Sequence, residues 1–161
     1  MQELGTLAAT KNKVFALNLA APFIPEFFKD VLDAAVPYTD LIIGNETEAA
    51  SYAKSHALAS DAPRDVALAL ANLPKENAQR KRTVVITQGT EPTLVAIQGE
   101  TEVKEFPVHA IDPSKINDTN GAGDAFAGGF LAGLVAGKPL ETSVDMGQWL
   151  ARLSIQELGP S

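Results

Sequence analysis

The sequence contains no cysteine. That excludes disulfides, thiolate nucleophiles and cysteine-ligated zinc, and it suits a reducing compartment. Histidine is almost as scarce. His56 and His109 stand far apart and match no motif, so both read as surface or structural side chains. Basic residues are outnumbered, with 13 Lys and Arg against 20 Asp and Glu and a net charge of −7. A chain of that sign is a poor general partner for nucleic acid or an anionic membrane, although one local basic patch could still hold an anion. Long apolar runs are missing as well. The longest free of charge, residues 125–137, has 13 residues, too few to cross a bilayer as a helix. Its Gly129, Gly133 and Gly137 repeat at the spacing of membrane helix pairs, but they predict a water-soluble helix packed closely against a sheet. Met1-Gln2-Glu3-Leu4 lacks the basic and apolar regions of a secretory signal.

What remains is ordinary globular material: 161 residues, 45% hydrophobic and 20% charged. Strand-like and helix-like segments alternate along it. Residues 14–19 read as a short buried strand, and 26–35 as a helix with Phe27, Phe28, Val31, Leu32 and Ala35 on one face. A second strand, 40–45, leads straight into acidic helix residues, with Asn45 as a candidate N-cap. Asp61 is the expected cap of a helix through Val66, Leu70 and Leu73 that ends at Pro74. The basic cluster Lys75, Arg80, Lys81 and Arg82 reads as a solvated loop rather than a phosphate clamp. Thr83 to Thr87 is a β-branched strand, and 93–97 with 101–108 reads as a hairpin. Two helices follow, from about Ala122 to Ala136 and from Pro139 through Leu158, with Met146, Trp149, Leu150 and Leu153 as its core positions. The predicted class is α/β: a layered, mainly parallel sheet flanked by helices, with a late antiparallel hairpin, forming one domain or part of one.

The stretch richest in chemistry is Asp118-Thr119-Asn120-Gly121-Ala122-Gly123-Asp124. Two glycines bracket a small residue where a helix should begin. Such a turn can aim several backbone N–H groups at one point, with the positive helix end behind them. That is an anion hole suited to a transferring phosphoryl group. Asp124, at its mouth, is placed to take a proton from an attacking hydroxyl. On spacing alone the glycines could equally form a plain turn and Asp124 a helix cap. The run is neither a dinucleotide fingerprint nor a Walker loop, since Phe126 stands where the first needs Gly or Ala.

Asp118 to Asp124 resembles the second signature of the ribokinase-like (PfkB) carbohydrate kinases. More narrowly, Asn18 to Ile24, Gly44 to Ala50 and Thr87-Gln88-Gly89 resemble the adenosine-phosphorylating branch of that family, in the same order. The resemblance implies that Asp124 is the general base for the 5′-hydroxyl of adenosine. Gly121, Ala122 and Gly123 would form the anion hole for the γ-phosphate. Asn45 and Glu48 match an Asn-x-x-Glu motif that organises Mg²⁺ and phosphate, Glu48 acting through water; their plain readings are an N-cap and a solvated helix residue. Thr87 and Gly89 resemble an ATP-contacting Thr-x-Gly, and the last helix of the family helps to wall the ATP base, which makes Trp149 a secondary candidate. Arg152 departs from the small residue expected there.

The family's members are about twice this long, and the resemblance covers the carboxyl-terminal, ATP-binding and catalytic part, residues 1–161. The expected function is transfer of the γ-phosphoryl of Mg·ATP to adenosine, giving AMP. The alternatives are another nucleoside or sugar kinase of the family, or a non-catalytic nucleotide-binding fragment. Expected partners are ATP and adenosine, with neither nucleic acid nor membrane. Self-association through the apolar edge of Val14 to Leu19 is a further expectation. The expected location is the cytoplasm, with the nucleus as a second.

Overall fold

A computed structural model describes residues 1–111, 113–115 and 121–156. It divides into two compact units, Met1–Gly89 with Leu94–Glu105, and Thr90–Thr93 with Phe106–Ser161. The first unit begins with helices and strands in alternation: α1 (Gln2–Thr10), β1 (Ala16–Asn18), α2 (Phe23–Phe27), α3 (Lys29–Ala35), β2 (Leu41–Asn45), α4 (Glu46–Ser55) and α5 (Pro63–Ala71). Three strands follow, β3 (Thr83–Gln88), β4 (Glu91–Ile97) and β5 (Lys104–Phe106).

The five strands lie in chain order across one sheet. β1, β2 and β3 run parallel, with Ile42 opposite Val84 and Asn45 opposite Thr87. Only Gly89 and Thr90 link β3 to its neighbour β4, and so short a link demands an antiparallel pair. Gly89 supplies the left-handed conformation for it, at φ +61°. The sheet is therefore mixed, parallel on one side and closing in hairpins on the other, as the sequence pattern predicts. Its central strands read Leu-Ile-Ile and Val-Val-Ile because both faces are covered. Leu32, Tyr52, Val66 and Leu70 pack with Ile42, Val84 and Ile86 in one buried cluster.

Several expectations need correction. The pattern of strands and helices read from the sequence starts at Val14, but α1 forms before it and docks through Gly5, where an added Cβ would lie 2.5 Å from the Tyr38 ring. Its Leu4 and Leu7 stay exposed, so an apolar stripe gives no sign of the contact. The single helix over 26–35 is two, broken at Phe28 (φ −118°, ψ 30°). The break interrupts the helical period, so Leu32 and Ala35 are buried while Phe27, Phe28 and Val31 face solvent. Asp61 does not cap α5; Ala62 stands at the N-cap and Pro63 begins the helix.

The basic cluster is the largest departure. Lys81 is exposed as a solvated loop requires, but Lys75 is buried in an ion pair with Asp40 at 2.6 Å. Arg82 is fully buried. Its guanidinium donates to the carbonyls of Leu73 (2.6 Å), Val36 (2.7 Å) and Pro74 (3.0 Å) and to the Thr39 hydroxyl (3.0 Å). The charge is satisfied by carbonyls at and just beyond the ends of α3 and α5 that need donors, so it does not need water.

In the second unit, α6 (Ala122–Val135) and α7 (Leu140–Gln156) form a helical hairpin. The expected glycine contact is with a helix rather than a sheet. A Cβ on Gly129 would fall 2.4 Å from the Met146 carbonyl oxygen, and one on Gly133 would fall 2.6 Å from Ser143 Oγ. Because this contact uses Ser143, Val144 and Gly147, the large residues of α7 are turned elsewhere. Trp149, expected in the core, is 62% exposed. Asp118 to Asn120 and Leu158 lie outside the described residues.

Candidate active site

In the first unit the site residues gather where the parallel strands end. Open α/β sheets bind ligands at the carboxyl ends of their strands, and β2 and β3 end there with Asn45 beside Thr87. Asn45 is extended (φ −110°, ψ 175°) and caps α4: its Oδ1 accepts from the Glu48 N–H at 2.9 Å. Glu48 answers, Oε2 accepting from the Asn45 N–H at 3.0 Å and Oε1 from the Asn45 amide at 3.2 Å. This reciprocal capping box is what Asn followed by Glu at the third position encodes. Glu48 is buried, so the solvated reading of it fails. Gly44 makes room for it, since a Cβ there would press on Leu19 at 2.8 Å and on Glu48 Oε2 at 3.2 Å. Thr87 Oγ1 lies 3.4 Å from the Gly44 carbonyl, and Gly89 is exposed with open space around it.

In the second unit Gly121 is the N-cap of α6, in the left-handed conformation at φ +76°. It has no side chain to cap with, and the first helical bond runs from Ala125 N to Gly121 O. The N–H groups of Ala122, Gly123 and Asp124 therefore have no acceptor within the helix, and the positive end of the helix stands behind them. Asp124 stands exposed in the first turn of α6, where its carboxylate can meet a hydroxyl.

The same unit holds a cleft of about 430 Å³ walled by Val108, Met146, Trp149 and Leu150, with His109, Asp145 and Arg152 among its polar groups. Gln148, also in the wall, is 7% exposed. Its amide donates to Thr93 Oγ1 at 3.2 Å and to the Phe106 carbonyl at 3.1 Å, while its Oε1 has no hydrogen-bond partner. Sequence reasoning overlooks Gln148. The available signal is a polar residue on the stripe of α7 that otherwise carries Val144 and Gly147. Among the described residues no cluster of three or more His, Asp or Glu could hold a metal. Glu48 is a lone carboxylate, which suits a cation that keeps most of its waters.

A model of the pfkB family of carbohydrate kinases matches residues 1–161. The chain is 50% identical over 159 residues to an adenosine kinase of Saccharomyces cerevisiae, covering 99% of this chain and 46% of that protein. It is 49% identical over 152 residues to adenosine kinase 1 of Arabidopsis thaliana, covering 94% and 44%. Among solved structures, Anopheles gambiae adenosine kinase in complex with P1,P4-di(adenosine-5) tetraphosphate superposes with a TM-score of 0.95 at 42% identity, over 99% of this chain and 49% of that one. A Thermotoga maritima ribokinase, at 24% identity and a TM-score of 0.72, shares the fold. The chain spans about half the length of the curated relatives it matches. With residues 1–161 inside the family model and half of the aligned positions identical to a curated relative, the chain belongs to the pfkB family of carbohydrate kinases.

Proposed function

We propose that this chain is the ATP-binding and catalytic part of an adenosine kinase, one that moves the γ-phosphoryl of Mg·ATP to the 5′-hydroxyl of adenosine. The observation that carries the reading is the start of α6, where three N–H groups without an acceptor in the helix and an exposed carboxylate share one helix turn. Phosphoryl transfer asks mainly for positioning and for donors where charge develops. The turn at Gly121, Ala122 and Gly123 offers the donors, and Asp124 the base that receives the hydroxyl proton. Asn45, Thr87 and Gly89, on the ligand edge of the sheet, are the ATP-side residues. The cleft beside α7 takes the donor base between Val108 and Trp149. Glu48 would hold Mg²⁺ through water, and the ion would neutralise phosphate charge; both Glu48 oxygens accept from Asn45.

Half the length of the relatives is a reason to keep a second reading, a nucleotide-binding chain without turnover of its own. Among the described residues β1 is the edge of the sheet, and Val14, Phe27 and Phe28 are exposed, so this part alone self-associates. Calorimetry on a folded sample tests the donor side, with an expected Kd for Mg·ATP of about 0.1–1 mM, and no binding at ~5 mM overturns the reading. Assays with adenosine, ribose and fructose on a chain completed to the length of its relatives test the acceptor. ADP release that follows a sugar rather than adenosine removes the adenosine assignment, and none with any acceptor favours the non-catalytic reading.

A further inference from the structure

Gln148 and Arg152 sit four residues apart on α7, hence one above the other on a single face of the helix, and both line the cleft. Their hydrogen-bonding characters are opposite. The Phe106 carbonyl can only accept, so it fixes the Gln148 nitrogen towards itself and leaves Oε1 as a buried acceptor in want of a donor. Arg152 is exposed and makes no hydrogen bond or ion pair among the described residues, so its guanidinium presents a fork of donors in want of acceptors. Asp145, three residues before Gln148, adds a second acceptor to the same wall. The rest of the wall, Val108, Met146, Trp149 and Leu150, is apolar and suits a flat ring.

The two purine types meet this pattern differently. Adenine can give its N6 amine to Gln148, but towards Arg152 it offers only single ring nitrogens. A 6-oxopurine gives N1–H to the Gln148 acceptor and, on the adjoining edge, presents O6 and N7 together, the pair that a guanidinium binds with two parallel hydrogen bonds. The 2-amino group of guanine adds a donor for Asp145.

We infer that Arg152 sets the choice of donor base, and that with it the cleft takes a 6-oxopurine nucleoside triphosphate such as GTP alongside ATP. The inference rests on the reading of this cleft as the donor-base pocket. It is a statement about affinity for the base and leaves the chemistry at Asp124 unchanged.

The experiment is titration calorimetry of the chain with Mg·ATP and Mg·GTP, before and after Arg152→Ala, with the fluorescence of Trp149 recorded in parallel. Trp149 is the sole tryptophan and stands in the cleft wall, so its signal reports where the base sits. Arg152 is exposed, so its truncation leaves the fold intact, which circular dichroism checks. The expected result is a GTP Kd within about tenfold of that for ATP, raised at least about fivefold by Arg152→Ala while the ATP value moves less than about threefold, the size of one bidentate base contact. Arg152→Lys should recover only part of the loss, because an ammonium lacks the planar fork. ATP binding with GTP more than about tenfold weaker, or an Arg152→Ala change that moves both nucleotides alike or neither, overturns the role of Arg152 while leaving the donor pocket standing. Heat without any change at Trp149 places the base elsewhere and overturns it too. Binding of neither nucleotide removes the donor reading itself and the inference with it.

Discussion

α4 and α6 both begin at candidate site residues, and they treat their free backbone groups in opposite ways. At the start of α4 the protein supplies its own cap: Asn45 accepts from the helix and Glu48 accepts from Asn45. The far end is closed as well, where the His56 ring meets the Tyr52 carbonyl at 2.9 Å and Asp33 at 2.6 Å. α6 is closed at its far end by backbone, Lys138 N donating to Gly133 O at 2.9 Å. Its beginning has no side-chain cap, since Gly121 stands at the N-cap. A helix end already filled by its own carboxylate has little left for an anion, whereas one capped by glycine keeps its donors for a ligand. On the reading proposed above, α6 is the end that would meet phosphate, and α4 holds Asn45 and Glu48 in place.

The sharpest way to break this contrast is at Asp124. In a chain completed to the length of its relatives, Asp124→Asn should lower kcat by about 10²–10⁴, as loss of a general base does, with ATP binding changed only a few-fold. Steady-state rates with adenosine decide it; a fall of less than about threefold would leave Asp124 no more than a charge at a helix end.

Gly121→Ala comes next. The nearest atom to the new Cβ would be Ser154 Oγ at 3.9 Å, so sterics cost nothing and the left-handed backbone costs about 1–2 kcal/mol. Urea unfolding should show that loss together with weaker ATP binding. Gly123→Ala separates the two effects: it has helical backbone and open space, so stability should rise by about 0.5–1 kcal/mol while ATP affinity falls as the methyl enters the anion site.

Asn45→Ala removes the cap of α4 and should cost about 0.5–2 kcal/mol, measured by the same denaturation. Stability left untouched would mean that the capping box does not hold the start of α4.

The smallest effect is a pH dependence at the other end of α4. Burial pushes the Asp33 carboxyl up, but hydrogen bonds and charge from His56 and Lys29 outweigh it and leave it below its ordinary 3.8. A carboxylate held low in the folded state stabilises fully above its unfolded value and loses that contribution as pH falls through the folded one. Asp33→Asn should therefore lower the urea midpoint slightly at pH 7, with the loss shrinking in more acidic buffer as the folded-state carboxylate is protonated. A loss that does not change with pH would make the effect one of packing.

Much of this was legible in the sequence because it is local. The β2 and β3 runs, the Asn45–Glu48 cap and the glycine turn before Asp124 each lie within a few residues, where strand burial, capping and left-handed turns have short signatures. What escaped depends on distant partners. Arg82 reads as surface because the carbonyls that satisfy it come from residues 36–39 and 70–74. Gly129 and Gly133 promise close packing but not against what, since Met146 and Ser143 come from another helix. Trp149 was misplaced for the same reason: small residues on the neighbouring face of α7 took the buried position that its size suggested for it.

Arg82 carries one more consequence. Its nitrogens bind the turn after α3, the end of α5 and the segment leading to Pro74, while its own backbone leads into β3. None of these pieces can peel away while the others stay, because each would abandon a donor inside the protein. The backbone amides around Val36, Leu70 and Val84 should then exchange with solvent hydrogen at one common rate, set by a single opening of the whole body, whereas those of α1, joined through little more than Gly5, should exchange sooner and on their own.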